Sequence, residues 1–339
     1  MNPIVGSVLL GIVLLISAIV FIFLCVLLRN VTTTPDCSDD GFGYSGRYLN
    51  YGTTNPDISG ETLLVQLSIA TANFGGIYTY QKNKLLPSLS PWNGKVSAEA
   101  AILQVKSGAR AIVFDIWPDP ANRRNPIIAA MKDMTDDIAF TWWRGKGLEN
   151  SNGYSSWINM ACNKGPAADI IGKAVDTAFS TGMEDPFFLI LNVHGYNDDN
   201  YLNNLGTLLS TRIEDNRIYN QKGFQSDNIN TITLNKLKGK VFIIVNPDDD
   251  PEKIKRTRLY KDLTNYLVEK QKFIYRNKEP VVQKSFACIQ PSVGVPDVSN
   301  TIKNDDFMLS TFVALNVFSL DDSRTLWLDR YAKHGIRKF

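Results

Sequence analysis

At 339 residues the chain is long enough for one large domain or two ordinary ones. Hydrophobic residues make up 44% and charged residues 21%, which excludes a disordered chain. A net charge of +2 with no basic stripe excludes a nucleic-acid binder. The four cysteines, Cys25, Cys37, Cys162 and Cys288, are widely spaced and form no CxxC pair. That spacing argues against a disulfide framework or a zinc site and for reduced, buried thiols. His194 and His334 are the only histidines, so imidazole chemistry is scarce.

Residues 1–28 carry no charged side chain, and Arg29 follows them. A spanning helix needs about 20 apolar residues. A cleaved signal peptide needs a basic start, a shorter apolar core and a small-residue cleavage site, and none of these is present. Residues 1–30 therefore read as a retained transmembrane anchor, with the membrane contacted through residues 3–28. Arg29 places the rest of the chain on the cytosolic side by the positive-inside rule, and the unpaired cysteines agree with a reducing compartment. Residues 31–60, rich in Thr, Asp, Gly and Ser up to Tyr51, read as a linker.

Beyond the linker, 63–69 reads as a buried strand and 96–107 as a helix stopped by Gly108. Strands follow at 111–117, 126–130 and 138–141. A helix is expected over 167–179, a strong strand over 187–193, a helix over 202–213 and a strand over 241–245. A helix over 255–268, a strand over 310–317 and a helix over 321–333 complete the series. The chain stops at Phe339, so an open or irregular last element is expected. Apolar strands alternating with amphipathic helices describe a parallel sheet covered by helices. Alternation alone allows a doubly wound sheet or a barrel. No glycine-rich phosphate loop follows any strand, and Gly75-Gly76 is a turn signal. Trp142-Trp143-Arg144 reads as core aromatics with a surface arginine. Asp248-Asp249-Asp250 reads as a solvated loop before a helix opened by Pro251-Glu252, acidic residues first and basic ones later, as the helix dipole favours.

Five short segments, in order, resemble the catalytic X-type barrel of the phosphatidylinositol-specific phospholipase C (PLC-like phosphodiesterase) superfamily. They are Leu67-Ser68-Ile69-Ala70-Thr71-Ala72-Asn73-Phe74, then Gly108 to Trp117, Pro126-Ile127-Ile128, Leu189-Ile190-Leu191-Asn192-Val193-His194, and Leu237-Lys238-Gly239-Lys240-Val241. The resemblance implies a TIM-type α/β barrel over residues 61–339, with a site at the C-terminal ends of its strands. It also implies attack of an inositol hydroxyl on a phosphodiester. One histidine would act as base and another as acid, and calcium or an arginine would neutralise charge.

Residue by residue, the implied chemistry is depleted. The first histidine position falls on Ala72, followed by a retained Asn73. One carboxylate of the paired acidic ligands falls on Val113, and Asp115 keeps the other. The second histidine falls on Ala130 or Lys132, and the later metal-ligand glutamate on Asn192. His194 matches the family's strand-end histidine, either as a structural residue or as a replacement catalyst. Asp115 is open between a vestigial ligand, a loop-amide acceptor and a partner for Arg110, and Lys132 is open as a phosphate contact.

The pocket candidates are thus Ala72, Asn73, Asp115, Lys132, Asn192 and His194. No catalytic residue, metal or cofactor is expected, and calcium enters only if the chain hydrolyses phosphodiesters. Losing a positioned acid or base costs about 10²–10⁴ in rate. The leading expectation is a membrane-anchored, inactive barrel with a structural or interaction role. Divergent relatives in large DNA viruses imply a setting at a virion membrane, with capsid or other membrane proteins as partners. The alternatives are an active phosphodiesterase with a rebuilt site, or a lipid or inositol-phosphate binder.

Overall fold

The computed structural model describes residues 15–21, 55–79, 94–119, 122–129, 164–194, 200–219, 229–247, 250–269, 273–276, 285–290, 306–318 and 322–339. Eight strands among them run parallel: β1 (Leu67–Ala72), β4 (Ala111–Asp119), β7 (Phe187–Val193), β8 (Val241–Pro247), β9 (Tyr266–Leu267), β10 (Ile274–Arg276), β11 (Ser285–Gln290) and β12 (Ser310–Leu315). Between β1 and β4 in sequence, a short antiparallel ribbon joins β2 (Ile77–Thr79) to β3 (Gly94–Val96). Apart from β9 and β10, each parallel strand pairs with the next in this series, and β12 returns to pair with β1. The one break in the ring, among the described residues, lies between β9 and β10. Aromatic rings span it: Tyr266 lies 6.5 Å from Phe273 and 5.1 Å from Phe286, centroid to centroid. The architecture is α/β and TIM-type, and the alternative of a doubly wound sheet is set aside.

Besides the β2–β3 ribbon, three strands lie off the ring. β5 (Asn122–Ala129) folds back antiparallel on the outer end of β4, and β6 (Lys164–Pro166) adds antiparallel to β5. The predicted strand at 126–130 is therefore the return arm of a hairpin, outside the parallel alternation. β13 (Ile336–Lys338) pairs antiparallel with the start of β1. The expected irregularity at the last element is thus misplaced, because β12 closes onto β1 in regular register and the break falls at β9.

The helices pack outside. α1 (Ala98–Lys106) is capped by Ser97, whose Oγ accepts from the Ala100 N–H at 3.1 Å, and Gly108 follows it at φ +100°. α2 (Ala167–Phe179) buries Ile170, Ile171, Ala174, Val175 and Ala178 against the sheet, and α3 (Asn200–Arg212) and α4 (Asp322–Arg330) complete the layer. Strands buried on both faces read as continuous apolar runs because helices cover one face and the barrel interior covers the other.

Two predicted elements differ. The strand at 63–69 begins later, at Leu67, after a 3-10 turn at Leu64–Gln66, and runs on to Ala72. The helix over 255–268 is absent. In its place stand one α turn (Pro251–Ile254), a π turn (Leu259–Leu263) and β9. The later part of that span joins the sheet instead: the Asn265 N–H donates to the Ile243 carbonyl and the Val268 N–H to the Val245 carbonyl, beside β9. The strand expected at 138–141 and the Trp142-Trp143-Arg144 segment lie outside the described residues. So do Cys25, Cys37 and Cys162. Asp250 caps the turn at Pro251, accepting from the Glu252 N–H, as the loop reading requires.

The interior is filled. Phe188, Phe242 and Phe312 meet at centroid distances of 5.4 and 5.8 Å. Ile58, Leu64, Ile232, Leu234 and Ile336 join the same cluster from outside the parallel ring. Cys288 lies wholly buried in this core, and burial pushes its thiol up from its ordinary value. The fold therefore favours the protonated thiol, and raising the pH through the ordinary thiol range works against folding. Expected result: at pH 9 an alkylating reagent leaves Cys288 unmodified in the folded protein and modifies it in urea. Peptide mass mapping reads both states, and rapid native labelling would contradict this burial.

Candidate functional site

Strand alternation sets which side chains reach the barrel mouth. On β4, Ala111 and Val113 join the interior cluster, while Ile112, Phe114 and Ile116 join the layer under the helices. Asp115 and Trp117 continue the inward series. On β7 the inward series is Phe188, Ile190 and Asn192, and on β8 it is Phe242, Ile244 and Asn246. The ladder places Asp115, Asn192 and Asn246 side by side, one residue from each of three neighbouring strands.

A hydrogen-bonded chain joins them. Asn246 Nδ2 donates to Asn192 Oδ1 at 3.1 Å, and Asn192 Nδ2 donates to Asp115 Oδ1 at 3.0 Å. His194 Nε2 lies 3.0 Å from the same Asp115 oxygen. An ionised carboxylate only accepts, so with Asp115 ionised the proton of this pair sits on Nε2. The imidazole stacks on Trp117 at a centroid distance of 4.1 Å with 13° between planes. Backbone contacts fix the residue further: the His194 N–H donates to the Ile116 carbonyl, and Tyr201 Oη donates to the His194 carbonyl at 2.6 Å.

The predicted residues fare differently. Asp115, Asn192 and His194 come together, and Asp115 does not pair with Arg110. Ala72 is wholly buried in the apolar layer between β1 and the helices, so its methyl faces away from the mouth. Asn73 extends the inward series of Leu67, Ile69 and Thr71 and is 3% exposed. Its N–H donates to the Leu315 carbonyl, and Gln104 Nε2 holds its carbonyl at 3.1 Å. Gln104 also donates to the Phe74 carbonyl and accepts from the Gly76 N–H, which secures the turn after β1. Phe74 and Gly76 both have positive φ there. Ala130 and Lys132 lie outside the described residues. His334 stands beside Gly335, which packs against Arg110 at the start of β4, far along the strand from Asp115.

Four participants were missed from sequence: Asn246, Trp117, Tyr201 and Gln104. Asn246 carried a signal. Both Ile190-Leu191-Asn192 and Ile244-Val245-Asn246 end an apolar strand in asparagine, at matching ladder positions.

The cluster is a poor fit for calcium. That ion takes 6–8 oxygens, usually several of them carboxylate. Here Val113 offers no side-chain oxygen, and Asp115 is the single acid in the row. Its Oδ1 already accepts two bonds, and the Asn192 oxygen is taken by Asn246. Among the described residues no group of three or more His, Cys, Asp or Glu side chains gathers as a metal site. What the arrangement does provide is an oriented imidazole, half of an acid/base pair.

Solved structures share this architecture. PLC21 of L. pealei aligns over 83% of this chain and 38% of its own, at 13% identity and a TM-score of 0.57. PLC21 of S. officinalis aligns over 83% and 37%, also at 13% identity and a TM-score of 0.57. A calcium-dependent phosphoinositol-specific phospholipase C from the Gram-negative bacterium Pseudomonas sp aligns over 85% and 99% at 10% identity, with a TM-score of 0.46. No family model and no curated protein matches the sequence. The chain has the PLC-like phosphodiesterase fold, and it spans under two-fifths of the length of the L. pealei and S. officinalis proteins.

Proposed function

We propose that this protein is a divergent member of the phospholipase C-like superfamily, held at a membrane by residues 1–30, whose barrel serves recognition or assembly without metal-dependent hydrolysis. The observation that carries this reading is the bonding of Asp115. The oxygen that a metal-dependent site would turn toward an ion is turned toward an amide and an imidazole. A half-buried polar network bonded within itself is costly to reopen.

Anchoring draws on the uncharged run of residues 1–28. Within it, residues 15–21 are helical and expose Leu15, Ile16, Ile19, Val20 and Phe21, apolar groups suited to lipid. No helix among the described residues is long and apolar enough to cross a membrane. The proposal extends to a barrel on the cytosolic side, in the setting of a large DNA virus. There the partners are capsid or other membrane proteins.

A second reading, a hydrolase with a rebuilt site, is favoured by the Asp115–His194 pair itself. The test is hydrolysis of phosphatidylinositol and its phosphorylated forms by the full chain in lipid nanodiscs, with and without calcium, beside His194→Ala. Expected is turnover no higher than that of the variant. Turnover that falls about 10²-fold or more on His194→Ala would install the hydrolase reading instead.

A further inference from the structure

Residues 55–66 cross the base of the barrel, the end at which the parallel strands begin. Asn55 Nδ2 donates to the Ile336 carbonyl at 3.3 Å, and the Leu64 N–H donates to the Ile232 carbonyl. Basic side chains flank this crossing on both sides. On one side the approach to β8 carries Lys236, Lys238 and Lys240 with no acid between them. On the other, Arg330, Lys333, Arg337 and Lys338 run from the end of α4 through β13, again with no acid between them. The ladder sets Lys338 beside Leu67, the first residue of β1. Lys236 and Lys338 are exposed, and no ion pair among the described residues engages them. Of the acids at this end, Asp57, Glu61 and Asp329 are exposed, and Glu184 is neutralised by Lys238 at 2.8 Å. Glu214 and Asp215 are offset by Arg212 and Arg217, so the base keeps a positive balance. Met308, in the turn that enters β12 here, leaves an apolar side chain 49% exposed, and Arg330 Nη2 lies 3.8 Å from its sulfur.

We infer that this base, and not the mouth, rests on the membrane, with anionic lipid headgroups as its ligand. The inference rests on the proposed anchoring by residues 1–30 and adds how the barrel sits on the bilayer that holds it. The occupant is the anchor's own membrane, because the chain leaving that anchor meets the barrel at this end, between the two basic groups. Lysine and arginine reach headgroup phosphates and carboxylates on long apolar stems, and Met308 supplies a flexible apolar group for the acyl boundary. A cytosolic leaflet rich in anionic lipid attracts such residues. Seated in this way, Asp115 and His194 open away from the lipid that holds the chain.

The test is lysine acylation of the full chain in nanodiscs, mapped by peptide mass, in phosphatidylcholine alone and with phosphatidylserine added. The potential of an anionic leaflet concentrates protons about 3-fold at its surface, which holds amines in the unreactive charged form. Lys236 and Lys338 are therefore expected to react at least about 3-fold more slowly in the anionic discs. Lys173, exposed on α2, is expected to keep its rate. High salt is expected to erase the difference. Lys236→Glu combined with Lys338→Glu is expected to lift the protection of Lys333 without lowering the melting temperature. Equal rates for the basal pair in both discs would overturn the inference. Protection of Lys164 and Lys253, near the mouth, in place of the basal pair would overturn it too and seat the barrel mouth-down. A chain that fails to float with the discs defeats the anchoring reading and this inference with it, whereas a chain that floats with indifferent lysines defeats the inference alone.

Discussion

Arg110→Ala is expected to lower folding stability by about 3–5 kcal/mol, the range for stripping one member from a buried charged cluster. The guanidinium is wholly buried. It donates to the Asp185 carbonyl at 2.7 Å and the Ala178 carbonyl at 3.2 Å, and it lies over the rings of Phe187 and Phe179 at 5.6 and 5.9 Å. It thereby ties the end of α2 and the turn before β7 to the start of β4. Gly335 packs against its stem, so the segment entering β13 depends on it as well. Truncation leaves two buried carbonyls and the Asp185 carboxylate without this cation.

Burial pulls the guanidinium down to about 10, with Asp185 pulling the other way. Between that value and arginine's ordinary range the fold holds the proton less firmly than the unfolded chain does. The share of stability traceable to Arg110 therefore rises with pH in that window, as its desolvation cost is relieved. Urea unfolding followed by circular dichroism measures the loss. An unchanged midpoint for Arg110→Ala would mean that water, and not the fold, solvates this charge. Arg110→Lys should fall between, because an ammonium keeps the charge and loses the fork.

Phe312→Ala is expected to cost a similar amount, about 3–5 kcal/mol, by a different route. Phe312 is wholly buried and touches Phe188, Phe273 and Phe286 at centroid distances of 5.4, 6.1 and 5.4 Å. These rings come from β7, the lead into β10, and β11, so one side chain joins both halves of the barrel interior. Its removal opens a cavity that β-strands locked in register cannot collapse into. Thermal unfolding of the variant should show a lowered midpoint with the same end states. Phe312→Leu, which keeps most of the volume, should recover much of the loss.

The fold was legible where strands carry long apolar runs. Such runs fill Phe187 through Val193 and Val241 through Val245, broken only by Asn192, and α2 follows the apolar spacing of Ile170, Ile171, Ala174, Val175 and Ala178. It was illegible where strands are short or mixed. β9 has two residues and β10 three, too few for any period to register. β11 sets Phe286, Cys288 and Gln290 among Ser285, Ala287 and Ile289, a pattern that offers no long apolar run. The helix expected over 255–268 had suitable spacing, but its later residues Tyr266–Leu267 pair with β8. At the site, the row of Asp115 and Asn192 could be read from the family resemblance, with His194 beside it. Asn246 could not, because its part depends on a ladder register that joins β7 to β8. Nor could the inaccessibility of Ala72, since one-residue alternation at a strand's end turns a side chain from mouth to helix layer.

The aromatic seam between β9 and β10 bears on the width of the mouth. Elsewhere the ring's circumference is set by ladder hydrogen bonds, whose spacing between strands is nearly constant at about 4.8 Å. At the seam the spacing is set by Tyr266, Phe273 and Phe286, rings that meet tilted or edge-on. Contacts of that kind are non-directional compared with N–H···O bonds and tolerate sliding and tilting. Among the described residues, this is where side chains instead of backbone pairs close the hoop, so side-chain volume there bears on the aperture.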